Sequence, residues 1–239
     1  MPPVRLMTRS LMLTVVACST LMALPGCGGP RALPAVKDSG EFNLRNGRFD
    51  EALGDFKEYI DRSPGRADVH YLLGKTYLAR GESAFAVEQM HVARSIRMED
   101  DEIFAGLCEA LYADKQLDEL NRTLRARTVD RGRMQDWALL AQYAEKLGDR
   151  DEVQRGWLTA AQVDQGQSAL PQLGLARLYL SVGDIAQAKR RAAMAYYIDP
   201  LNAEINELVK QLNEIPGPTF GIPPAELPGN QAPTATPGV

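Results

Sequence analysis

A pattern of small and apolar residues recurs along this chain about every 34 residues. Units counted from Leu33 begin at positions 33, 67, 101, 134 and 169, so successive starts are 34, 34, 33 and 35 apart. The fifteenth place is glycine in four of the five units: Gly47, Gly81, Gly148 and Gly183. The eighth place is small as well, as in Gly40, Gly74, Cys108 and Ala141. Repetition at this period marks a stacked architecture, because one such unit cannot bury its apolar face alone and must lean on its neighbours.

Within a unit the apolar spacing is helical. Leu72, Leu73, Tyr77 and Leu78, then Val87, Met90 and Ile96, recur three or four apart, which predicts amphipathic helices and no strands. Each unit breaks once in its middle. Gly148-Asp149 and Gly183-Asp184 show how: glycine accepts the left-handed backbone that ends one helix, and aspartate caps the next by accepting its unpaired N–H groups. The third unit keeps only the apolar skeleton Phe104, Leu107, Leu111, Leu117, Leu120 and Leu124, and is the most degenerate.

Beyond the last unit, Ile205, Leu208, Val209 and Leu212 form one stripe within 201–213, predicting a polar-backed helix that covers the end of the stack. The segment 215–239 then carries Pro216, Pro218, Pro223, Pro224, Pro228, Pro233 and Pro237. It is expected to be disordered, forming no helix and packing no core.

Position by position, Leu73, Gly74, Tyr77, Gly81, Ala86 and Ala93, then Trp137, Leu140, Gly148, Trp157 and Ala160, then Tyr179, Gly183, Ala188 and Pro200 resemble the tetratricopeptide repeat (TPR) family. The resemblance spans residues 33 to about 202. It implies an all-α, right-handed solenoid of about five helix-turn-helix pairs plus a C-terminal capping helix, filling 33–214. It also implies a protein or peptide partner on a concave surface lined by the first helix of each pair. Mapped here, the lining residues are Tyr71, Lys75 and Leu78, then Glu102, Glu109 and Tyr112, then Gln142 and Glu145, then Leu173, Arg177 and Leu180. Tyr71 and Tyr112 read equally as partner anchors or as fillers between adjacent units. The terminal-carboxylate clamp of chaperone-binding members is absent: Lys37 is in place, but Glu41 and Leu72 replace the two asparagines.

The amino terminus sets the expected compartment. Arg5 and Arg9 precede an uncharged run from Ser10 to Leu24, followed by Leu24-Pro25-Gly26-Cys27. A basic start, a short apolar run and small residues predict an export signal over 1–26, too short to span a bilayer comfortably. The Leu-x-Gly-Cys ending resembles the lipobox of bacterial lipoproteins, although Pro25 stands where that pattern prefers Ala or Ser. The resemblance implies acylation of Cys27, a short tether over 27–32, and a domain in the periplasm tied to the membrane by lipid. Gly28 in place of an inner-membrane-retaining Asp favours the outer membrane. The plan is similar to TPR lipoproteins of pilus, secretion and barrel-assembly systems. The alternative is a soluble periplasmic carrier that shields exported chains, and a more remote one is an unrecognised enzyme.

Composition argues against several other classes. With 27 basic and 31 acidic residues the net charge is −4, and no basic stripe suggests nucleic acid. The one arginine cluster, Arg122, Arg125, Arg127, Arg131 and Arg133, is read as a solvated helix face and loop, with a docking patch for an acidic partner as the alternative. His70 and His91 sit on different helices with no partner at metal-ligand spacing, so no metal site is expected and His70 is assigned to the core. Gly74-Lys75-Thr76 imitates a phosphate loop but lies inside a helix with Val69 where the leading glycine belongs. Glu99-Asp100-Asp101-Glu102 lacks the turn glycine of a calcium loop and is read as a helix start. Cys108 is expected to be a buried core thiol. No cofactor, no small-molecule substrate and no catalytic constellation is expected.

Overall fold

The computed structural model describes residues 29–229. Five antiparallel pairs of helices follow one another: α1 (Leu33–Arg45) with α2 (Phe49–Arg62), α3 (Ala67–Arg80) with α4 (Ser83–Ile96), α5 (Asp101–Ala113) with α6 (Leu117–Asp130), α7 (Met134–Leu147) with α8 (Arg150–Asp164), and α9 (Ala169–Ser181) with α10 (Ile185–Ile198). A shorter α11 (Ala203–Gln211) closes the series, and there is no strand among the described residues. The chain is therefore an all-helical solenoid. The first helix of every pair starts at the unit boundary read from the sequence.

The local signals act as expected. Gly47, Gly81, Gly148 and Gly183 adopt positive φ of 72°, 82°, 76° and 80° at the mid-unit turns. Asp149 and Asp184 then cap α8 and α10 by accepting from the backbone N–H of Glu152 and Gln187. The acidic run at 99–102 is also a helix start, with the Asp100 carboxylate accepting from Glu102 N at 3.0 Å and Ile103 N at 3.1 Å.

Small residues let helices touch. A Cβ added at Gly40 would stand 2.6 Å from the Phe56 ring, and one added at Gly74 would stand 2.9 Å from the Met90 methyl. In the third unit the eighth place holds Cys108 and the twentieth, which is Ala52 and Ala86 in the first two units, holds Leu120, both 0 % exposed, and there α5 and α6 share a visibly narrower common face than the other pairs. Two larger side chains between the axes account for that opening.

The core runs in stretches along the stack. A first stretch from Val36 to Tyr143 unites the first three pairs with α7, a second centres on Trp157, and a third joins α9, α10 and α11 through Ala192, Ile205 and Val209. The stripe Ile205, Leu208, Val209 and Leu212 is buried, while Glu204, Glu207 and Lys210 face water. That helix caps the stack.

The proline-rich segment departs from the expectation of disorder. Residues 216–229 turn back across α10. Phe220 packs edge-on against Tyr196 with centroids 5.9 Å apart, and the Ile222 N–H donates to the Ala193 carbonyl at 3.2 Å. Pro224 is buried against Gly166. The Glu226 carboxylate accepts from Arg191 Nη1 at 2.6 Å and from the side-chain amide of the fully buried Gln172 at 2.9 Å. Proline forbids helix continuation here but not burial of rings and carboxylates. The part of the tail after residue 229 lies outside the described residues, as do the segment 1–26 expected to be an export signal and Cys27.

Candidate partner-binding face

The first helices of successive pairs lie side by side and are bridged by aromatic side chains. Tyr71 on α3 extends over Gly106 on α5, where an added Cβ would stand 2.8 Å from its ring. Its hydroxyl lies toward the Glu102 carboxylate, and the Lys75 ammonium lies 5.3 Å from the ring centroid. Burial, reinforced by Glu102, pushes the Tyr71 hydroxyl well above the usual tyrosine range, so it remains a donor. Next along the row, Tyr112 on α5 meets Tyr143 on α7 with centroids 5.8 Å apart. Lys146 stands over both rings, at 5.3 and 4.5 Å.

The face thus alternates half-buried tyrosines with cations held above them. Tyr71 and Tyr112 both pack on the main core, so they fill the seams between units and also present an edge to solvent. Leu78 is half-buried, while Lys75, Glu109 and Gln142 are exposed. Arg177, at the far end, pairs with Glu204 of α11 and borders a shallow depression of about 420 Å³ that Leu180, Glu207 and Gln211 help to line. Leu173 is 4 % exposed and belongs to the core, not to this surface. Sequence spacing missed Tyr143 and Lys146, because both lie off the stripe expected to line the groove. A lysine three residues after a tyrosine on one helix was the available signal.

Chemistry-bearing groups elsewhere are committed to structure. His70 is 6 % exposed; its Nε2 donates to the Pro64 carbonyl at 2.9 Å, and its Nδ1 lies 2.9 Å from Gln89 Oε1. His91 is exposed and lies 3.2 Å from Glu119. Burial pushes the Cys108 thiol up to about 12, which suppresses the reactive thiolate. Thr76 of the loop-like tripeptide is buried and donates to the Leu72 carbonyl at 2.8 Å. Among the described residues no group of three or more His, Cys, Asp or Glu could hold a metal ion.

The arginine cluster is not the solvated face expected. Arg127 is 5 % exposed, its guanidinium stacked 4.0 Å above the Phe104 ring and bonded to Asp136 Oδ1 at 3.1 Å and to Asp101. Arg131 and Arg133 reach the same Asp101 at 2.8 and 2.7 Å. This network ties α5, α6 and α7 together, which explains why cation and anion are interleaved there. Arg122 and Arg125 alone remain exposed on α6.

A stack of antiparallel helix pairs with an aromatic-studded face and a polar-backed cap is a helical-repeat solenoid of the kind that presents a surface to a partner. The tetratricopeptide repeat family profile matches residues 43–93. The fold of the whole described chain is that of TPR proteins. A thermophilic TPR protein from Thermus thermophilus is 20% identical, with a TM-score of 0.53, over 76% of this chain and 99% of that one. MamA protein is 17% identical with a TM-score of 0.53 over 75% of this chain and 94% of the other, and pilF of Pseudomonas aeruginosa is 16% identical with a TM-score of 0.55 over 75% and 82%. No protein with a curated description matches the sequence.

Proposed function

We propose that this chain is a non-catalytic scaffold of the bacterial cell envelope, held to a membrane through acylated Cys27, whose face of first helices binds a protein or peptide partner and positions it. The observation that carries the reading is the pair of half-buried tyrosines Tyr71 and Tyr112, with the buried Tyr143 packed behind Tyr112 and exposed Lys75, Glu109, Gln142 and Lys146 around them. Aromatic side chains fixed in place by packing offer apolar area at little entropic cost, and the charges beside them select what may lie there. The TPR fold supports protein binding of this kind. The Leu24-Pro25-Gly26-Cys27 sequence supports export and lipid attachment, and Gly28 favours the outer membrane.

Two measurements test the two halves. Cells fed a palmitate analogue are expected to label the protein, with the label and the membrane fraction both lost in Cys27→Ser; an unlabelled wild type found in the soluble envelope fraction instead indicates an untethered carrier. A photo-crosslinker at position 75, 109 or 142 is expected to capture the partner, whereas one at exposed Glu88 on α4 is not. Equal capture from both faces removes the assigned surface.

A further inference from the structure

We infer that the edge of the stack where the second helices end faces the lipid surface, with Met98 and Val129 in contact with it. The inference rests on the lipid attachment proposed above and adds an orientation to it.

Every first helix begins, and every second helix ends, on the same edge, because the pairs are antiparallel and the units repeat. Bonds between neighbouring loops on that edge show it directly. Arg62, the last residue of α2, donates from Nη1 to the Arg31 carbonyl at 2.7 Å, and Arg131 after α6 donates from Nη1 to the Glu99 carbonyl before α5 at 3.3 Å. This edge presents exposed apolar side chains among its charged residues. Met98 is 64 % exposed, Val129 84 % and Ile96 41 %. The loops of the opposite edge in the first four units are glycine and polar residues, Asn46-Gly47-Arg48, Gly81-Glu82, Asp114-Lys115-Gln116 and Gly148-Asp149-Arg150, and the exposed apolar side chains near that edge, Phe42, Phe85, Val182 and Ile185, are each 53 % exposed or less.

The entry of the chain decides what covers this edge. Arg31, fixed by its ion pairs to Asp55 and Glu58 of α2, sits on the same side as Met98 and Val129. Arg31 lies four positions after Cys27, a span of at most about 14 Å when fully extended. An acyl chain on Cys27 therefore holds the Arg31 end of this edge within a loop's length of the bilayer. A few exposed aliphatic side chains bind lipid weakly when free, but a short tether converts their insertion into an intramolecular step. The helix axes then stand steeply to the membrane, and the face of Tyr71 and Tyr112 opens sideways, accessible to a partner moving along it.

The full chain, expressed with its signal and reconstituted in phospholipid vesicles, provides the test. A polarity-sensitive fluorophore is placed through Met98→Cys, Val129→Cys or, on the opposite edge, Arg150→Cys, each combined with Cys18→Ser; Cys108 is 0 % exposed and does not compete for label. The inference expects the emission at 98 and 129 to shift to the blue relative to the same probes in the soluble Cys27→Ser protein, with no shift at 150. Membrane-bound protein whose 98 and 129 probes keep water-like emission, or whose 150 probe shifts instead, overturns the inference and leaves the anchor standing. A Cys27→Ser protein that stays on membranes overturns the anchor itself, and this orientation with it.

Discussion

At the fifteenth place of the third unit stands Lys115, in the left-handed conformation that glycine provides in the other four units. Its φ of 63° carries a penalty for any residue with a Cβ, on the order of 1 kcal/mol, partly offset by the extra chain entropy glycine would lose on folding. Lys115→Gly is expected to stabilise the protein by up to about 1 kcal/mol, read as a higher urea midpoint with an unchanged m value. The unit looks degenerate in sequence because Cys108, Lys115 and Leu120 all depart from the pattern, yet its backbone keeps the shared turn. Some close contacts escaped the sequence reading for a different reason. A Cβ at Gly174 would stand 2.4 Å from the Trp157 indole, so glycine is required there, but the two belong to different units and no pattern within one unit displays their meeting.

Among the elements, the five helix starts were legible, since period, turn glycines and caps all point to the same boundaries. The returning segment 216–229 was not. Proline content reports only that a helix is excluded; it carries no information about Gln172 and Arg191, which receive Glu226 from 54 and 35 residues away. Glu226→Ala would leave the Arg191 guanidinium, 13 % exposed, without its carboxylate. A loss of about 2 to 3 kcal/mol is expected, with faster hydrogen exchange confined to α9 and α10. The arginine cluster was misread for a related cause. Composition shows mixed charge along α6 but cannot show that Arg127 turns inward onto Phe104. The candidate face was half legible: helical spacing found Tyr71 and Tyr112, whereas Tyr143 and Lys146 depend on how α7 rotates against α5.

For the molecule as a whole, carboxylates tie neighbouring units together, and this sets its response to acid. Hydrogen bonds from Arg133 and Arg131 hold Asp101 below its usual value. Burial alone would raise Asp68 and Glu226, but Arg66 and Lys37 at the first, and Arg191 at the second, more than offset it and both are lowered. A carboxylate whose folded value lies below its unfolded one stabilises fully above the unfolded value and loses that contribution as pH falls through both. The melting temperature is therefore expected to be flat near neutrality and to drop as pH falls below about 4.5. A melting temperature that holds or rises over that range would show these pairs to be inert. The last helix carries a consequence of another kind. Identical rungs have no intrinsic stopping point, and a ladder open at both ends invites another copy to join it. By turning Glu204, Glu207 and Lys210 outward over an apolar underside, α11 ends the ladder and fixes the reach of anything that grips it.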